Sequence, residues 1–110
     1  MLKFYYLSLA ILFEVAGTIS LKLSNGYTKI FPTIVMALSY AICFFFLSKC
    51  LNEFNSIGFV YAIWSGVGII LISILGVIFF NNIFDIPGIL GLSLIIAGVI
   101  ILNLFSKMSQ

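Results

Sequence analysis

The chain has 110 residues, of which 64% are hydrophobic and 7% charged, with a net charge of +2. Water-soluble domains carry roughly 25% charged residues, so this composition excludes one, and the small, scattered positive excess excludes a nucleic-acid footprint. With no histidine, no metal-ligand cluster and no nucleophile–base pair, enzymatic and metal chemistry are the least supported function classes.

Four apolar stretches follow in chain order, at about residues 4–21, 31–51, 57–80 and 86–105. Each approaches or reaches the roughly 17–25 residues that a helix needs to cross a bilayer. None alternates apolar and polar residues as membrane barrel strands do. The expected fold class is an all-α integral membrane protein: one domain over 1–110 with four transmembrane helices. The connections are short, which makes successive helices antiparallel neighbours. Lys3 ahead of an apolar run resembles the start of a signal peptide. The acid in mid-run, the lack of a clean A-x-A site and the three later spans argue against one.

The first helix carries AILFEVAGTISLK, Ala10 to Lys22, with Glu14 near the centre of the span. A charged side chain there costs about 2.5–3.5 kcal/mol. Lys22 is two helical turns away, roughly 12 Å along the axis, too far for a comfortable pair. Either protonation or a cavity holding water or a cation relieves that cost. Ala10, Gly17 and Thr18 stand at i−4, i+3 and i+4 and share the face of Glu14. All three are small, which leaves room for a guest; the same stripe suits a close helix–helix contact. Leu7, Ile11 and Leu21 flank it.

The first loop contains Ser24-Asn25-Gly26, a turn cluster, and ends at Pro32, suited to a helix start. In the second helix, Cys43 and Cys50 lie seven apart near one face, form no C-x-x-C, and read as packing filler. The second loop, Asn52–Ser56, is polar. In the third helix Tyr61 and Trp64 are i, i+3 and share a face. Aromatic faces attract cations by about 0.5–2 kcal/mol, so a carboxylate with two rings makes a receptor for a bulky organic cation. An interfacial aromatic belt is the competing reading; Glu14 favours the site. Tyr40 of helix two is a weaker candidate for the same cage. Gly66 and Gly68 suit either a bend or close packing. The third loop holds Asn81, Asn82 and Asp85, with Asp85 near the cap of helix four and Pro87 in its first turn. Gly91 and Gly98, one heptad apart with Gly88 a turn earlier, suit tight packing between subunits.

The lysines bear on orientation. Four spans put Lys3, Lys49 and Lys107 on one side and Lys22 and Lys29 on the other. Positive charge marks the cytoplasmic side, and three against two leaves orientation weakly determined. Both insertions are expected, with a fixed orientation as the alternative.

Together these residues resemble the small multidrug resistance family over nearly the whole chain. The resemblance rests on the lone glutamate in E-V-x-G-T, on KLSNGYT (Lys22–Thr28), on YAIWSGVG (Tyr61–Gly68), and on the seven-spaced glycines. It implies a four-helix protomer in an antiparallel, dual-topology homodimer of the bacterial cytoplasmic membrane. Helices one to three would line the site, and helix four, with Gly91 and Gly98, would form most of the seam. The implied activity is proton-coupled antiport: export of hydrophobic and quaternary ammonium cations, with Glu14 of both subunits holding either a proton or the cation. Tyr61 and Trp64 would contact substrate; Tyr40, Ala10, Gly17 and Thr18 would line the chamber; Gly66 and Gly68 would supply the bend for alternating access. No metal or cofactor is implied beyond the proton as coupling ion. The implied partners are small organic cations, the lipid bilayer and a second copy.

The family's guanidinium exporters carry a tryptophan at or next to the position of Gly17 and a hydroxyl near Cys43, so the resemblance is nearer to the broad-substrate subtype. Two departures bear on loop geometry and substrate range. The second loop lacks the family's proline before Gly58 and is one residue longer, and Phe45 stands where the family has a tryptophan. The alternatives are a guanidinium or polyamine exporter of the same family, or a structural membrane subunit without a substrate that oligomerises through helix four.

Overall fold

A computed structural model describes residues 2–107 of the chain; the ends of the expected 1–110 domain, residues 1 and 108–110, lie outside the described residues. Four helices make up the regular structure among the described residues: α1 Leu2–Leu23, α2 Ile30–Glu53, α3 Ile57–Phe80 and α4 Ile86–Phe105. All four are long and apolar enough to cross a membrane, with mean hydropathies of 1.6, 2.2, 2.5 and 2.5 over their best windows. The low value for α1 reflects its acid, hydroxyls and terminal lysines. α3 and α4 have the expected bounds, whereas α1 and α2 overrun theirs because backbone hydrogen bonding continues through Lys3, Lys22 and Glu53 after the apolar run has ended.

The chain divides into two compact units, a first hairpin of α1 and α2 ending at Glu53 and a second, of α3 and α4, beginning at Phe54. In the first, α1 buries Leu7, Ala10, Ile11, Val15, Gly17 and Ser20, and α2 buries Ser39, Cys43 and Cys50. The spacing on α2, four then seven, follows one helix face, and its residues are small, which lets the backbones approach closely. Neither cysteine forms a disulfide and both side chains are fully buried, as packing filler would be. Phe46 of α2 stacks on two rings of α1 one heptad apart, Tyr6 and Phe13, each at a centroid distance of 6.3 Å. Each such pair contributes about 0.5–1.5 kcal/mol beyond its buried area, and together they set the axial register of the two helices.

The turn between α1 and α2 passes through the left-handed region at Asn25, Gly26 and Tyr27, with φ of 49°, 69° and 68°. Asparagine and glycine tolerate this conformation; for tyrosine it costs roughly 1–2 kcal/mol. Buried Ser24 offsets that cost. Its hydroxyl donates to the Leu21 carbonyl at 2.7 Å and accepts the Tyr27 N–H at 3.2 Å, while its carbonyl takes the N–H groups of Thr28 and Lys29 at 2.9 and 3.1 Å.

In the second unit, Ser56 caps α3 by accepting the Phe59 N–H at 3.1 Å, and the buried rings of Phe54 and Phe59 meet at 5.2 Å across that start. Asn81, left-handed at φ 58°, ends α3. Asp85 caps α4 by accepting the Gly88 N–H at 2.9 Å, with Pro87 in the first turn. At Gly66 the two helices are in close contact. A β-carbon on it would stand 2.9 Å from Val99 Cγ2 and 3.3 Å from Ile95 Cγ2. Gly66 thus takes part in a close helix–helix contact. An open apolar groove of about 280 Å³ lies farther along the same pair, between Ile70 and Ile74 of α3 and Ile89 and Ile96 of α4. α4 buries no residue.

Candidate cation site

Glu14 lies on the stripe of α1 that faces α2, because Ala10, Gly17 and Thr18 are its helical neighbours and Ala10 and Gly17 are buried. The side chain is half-buried. Its Oε1 receives the Thr18 hydroxyl at 3.4 Å, one turn on. Its Oε2 is buried and has no hydrogen-bond partner among the described residues. A buried carboxylate oxygen without a donor is costly, and that cost falls when a proton or a cation neutralises the carboxyl group.

Tyr40 of α2 reaches the same place. Its hydroxyl lies 2.8 Å from the Thr18 hydroxyl, and its ring rests on Gly17, where a β-carbon would stand 2.8 Å from Cε1 and 2.9 Å from Cδ1. Phe44, one turn along α2, stacks beside the ring at a centroid distance of 6.5 Å. The small stripe is therefore used unevenly: Ala10 is fully buried, the space over Gly17 is filled by an aromatic ring, and Thr18 carries a hydroxyl bridge between the helices. Nothing in the spacing of either helix signals this bridge, because it depends on their relative register.

In the second unit, Tyr61 and Trp64 form an edge-to-face pair with centroids 5.7 Å apart and planes at 79°. Tyr61 is 63% exposed and Trp64 half-buried, so an aromatic face remains open to a ligand or to the membrane interface. Ser65, between Trp64 and Gly66, turns its hydroxyl back to the Tyr61 carbonyl at 2.6 Å. Gly68 is buried. Gly91 and Gly98 are exposed, and a β-carbon on either would meet nothing within 4 Å.

Residues 2–95 match the family model described as Small Multidrug Resistance protein. The chain belongs to the small multidrug resistance family. It is 45% identical to Multidrug transporter EmrE of Escherichia coli (strain K12) over 104 residues, 94% of each chain. It is 42% identical to the uncharacterized membrane protein YvaE of Bacillus subtilis (strain 168) over 108 residues, 98% of this chain and 90% of that one. Identity to quaternary ammonium compound-resistance protein QacG of Staphylococcus sp. (strain ST94) is 39% over 106 residues, 96% of this chain and 98% of that one. With four apolar helices and this membership, the chain is a multi-pass membrane protein.

Proposed function

We propose that this small multidrug resistance protein is a proton-coupled antiporter that exports hydrophobic and quaternary ammonium cations across the bacterial cytoplasmic membrane. Glu14 binds a proton and the cation in turn. The observation that carries the reading is the unpartnered Oε2 of Glu14, buried within a membrane span. An intramembrane acid without a basic partner is costly and marks an ion or substrate path. The names of the relatives, multidrug transporter and quaternary ammonium compound-resistance protein, support the substrate class.

In the working protein two copies associate antiparallel through α4, and both Glu14 carboxyls face one chamber. Their titrations are then coupled, so apparent proton affinities belong to the pair. A hydrophobic cation displaces protons, is held by Coulomb attraction and by the faces of Tyr61 and Trp64, and leaves when protons return. Exclusive occupancy forces exchange. The test is binding of a cation panel, from guanidinium to tetraphenylphosphonium, to the purified protein in detergent across about pH 5 to pH 9. Affinity for the large cations rises with pH until the carboxyls are ionised and then levels. A flat profile ends the competition reading, and preference for guanidinium moves the chain to the narrower subtype.

A further inference from the structure

We propose that the Tyr40 hydroxyl is a positioning group for Glu14 that acts through Thr18, so that the direction of one hydrogen-bond chain reports whether Glu14 is neutral or ionised. The inference deepens the proposed function and rests on it only for what the chain would report during exchange.

The argument is a count of protons. The Thr18 hydroxyl has one proton to give, and it lies 2.8 Å from the Tyr40 hydroxyl and 3.4 Å from Glu14 Oε1. An ionised carboxylate can only accept. Both contacts are then satisfied in one arrangement alone: Tyr40 donates to Thr18, and Thr18 donates to Glu14. A proton on Oε1 makes that oxygen a donor and permits the reverse order, in which Thr18 gives its proton to Tyr40. A bound cation leaves the carboxylate ionised and keeps the first order. The chain therefore separates a proton held on Oε1 from a bound cation, although both neutralise the acid.

Geometry holds the chain in place. The Tyr40 ring is seated on Gly17 with no room for a β-carbon and is flanked by Phe44. Successive hydrogen bonds polarise one another in a low dielectric, so the short Thr18–Tyr40 link strengthens the looser contact to Glu14. α2 is the helix packed against α1, and its titratable groups on the buried face are Cys43 and Cys50, with Tyr40 beside them. Lys49 is nine residues along α2 from Tyr40, roughly 13 Å, and Lys22 of α1 is about as far from Glu14.

The experiment follows the tyrosine ζ-carbon and the glutamate δ-carboxyl by NMR in full-length protein labelled with [ζ-13C]tyrosine and [δ-13C]glutamate, in lipid bilayers and without any added cation. Tyr40→Phe assigns the signal among the five tyrosines. In the unsubstituted protein the Tyr40 signal moves in step with the Glu14 carboxyl signal as pH changes. The movement is lost in Glu14→Gln and in Thr18→Val, and persists in Thr18→Ser and in Cys43→Ala. A Tyr40 signal that is still in the unsubstituted protein, or that still moves in Thr18→Val, overturns the proposal. The first of these outcomes is read in the unsubstituted protein and needs only Tyr40→Phe, which removes one hydroxyl, for assignment. Tetraphenylphosphonium is then added: the Tyr40 signal stays at its high-pH position, because the carboxylate remains charged. If the cation changes no signal anywhere, the exporter reading fails while the hydrogen-bond chain stands; a cation that drives Tyr40 to its low-pH position overturns the chain.

Discussion

The hydroxyls of Thr18 and Tyr40 lie 2.8 Å apart, one from each helix of the first hairpin, and the Tyr40 ring rests against Gly17 next to them. One bridge thus connects the packing of α1 on α2 with the environment of Glu14. Glycine at position 17 is required by the ring. The expected result for Gly17→Ala is a loss of stability of about 1–3 kcal/mol, the usual cost of overpacking, together with weaker cation binding. Thermal unfolding in detergent measures the first and ligand titration the second. Because the two groups touch, Gly17→Ala combined with Tyr40→Ala is less destabilising than the sum of the single changes. Additive costs would place the ring elsewhere.

Glu14→Gln removes the exchangeable charge with almost no change in shape. Proteoliposomes containing this variant are expected to show no proton-driven cation transport and no pH dependence of any residual binding. The sign follows from the proposed competition: lowering pH would fill the carboxyl of the parent protein with protons and expel the cation, whereas an amide has no proton to exchange. Proton-driven transport surviving in the variant would assign the coupling to another group.

Trp64 and Tyr61 meet edge to face at 5.7 Å, so each ring limits the orientation of the other. Replacing Trp64 by alanine removes an indole face worth about 0.5–2 kcal/mol to a cation, roughly a twofold to thirtyfold loss of affinity. Trp64→Phe retains part of it. Isothermal titration with tetraphenylphosphonium checks the series; an unchanged affinity in Trp64→Ala would leave the ring with the interfacial role alone.

How far these features are legible in the sequence depends on how local their physics is. The four helices are, since a long apolar run has to satisfy its own backbone in a bilayer. Asp85 and Pro87 announce the start of α4 because capping is a matter of three residues. Glu14 is conspicuous because one charge in an apolar run has a known cost. The seat of Tyr40 on Gly17 is hidden, for it joins positions 22 apart or more through a register set by Phe46 between Tyr6 and Phe13. Gly66 is the intermediate case: the sequence leaves bend and close contact open, and its contact with Val99 and Ile95 of α4 is visible only in the packed hairpin.

The glycines of α3 and α4 separate by what stands over them, and this makes a paired test. Gly66 is covered by Val99 within its own hairpin, while Gly91 and Gly98 meet nothing within 4 Å. Gly66→Ala is expected to loosen the second hairpin by about 1–3 kcal/mol, and Val99→Ala in the same chain restores part of the loss. Gly98→Leu touches no residue of its own hairpin, so the protomer keeps its helix content by circular dichroism. If two copies pack through α4 as proposed, the same substitution breaks the pair, because a bulky side chain on a small-residue stripe holds the backbones apart. Cross-linking in bilayers across a concentration series reads this directly. A Gly98→Leu protein that still pairs as the parent does would move the seam off α4.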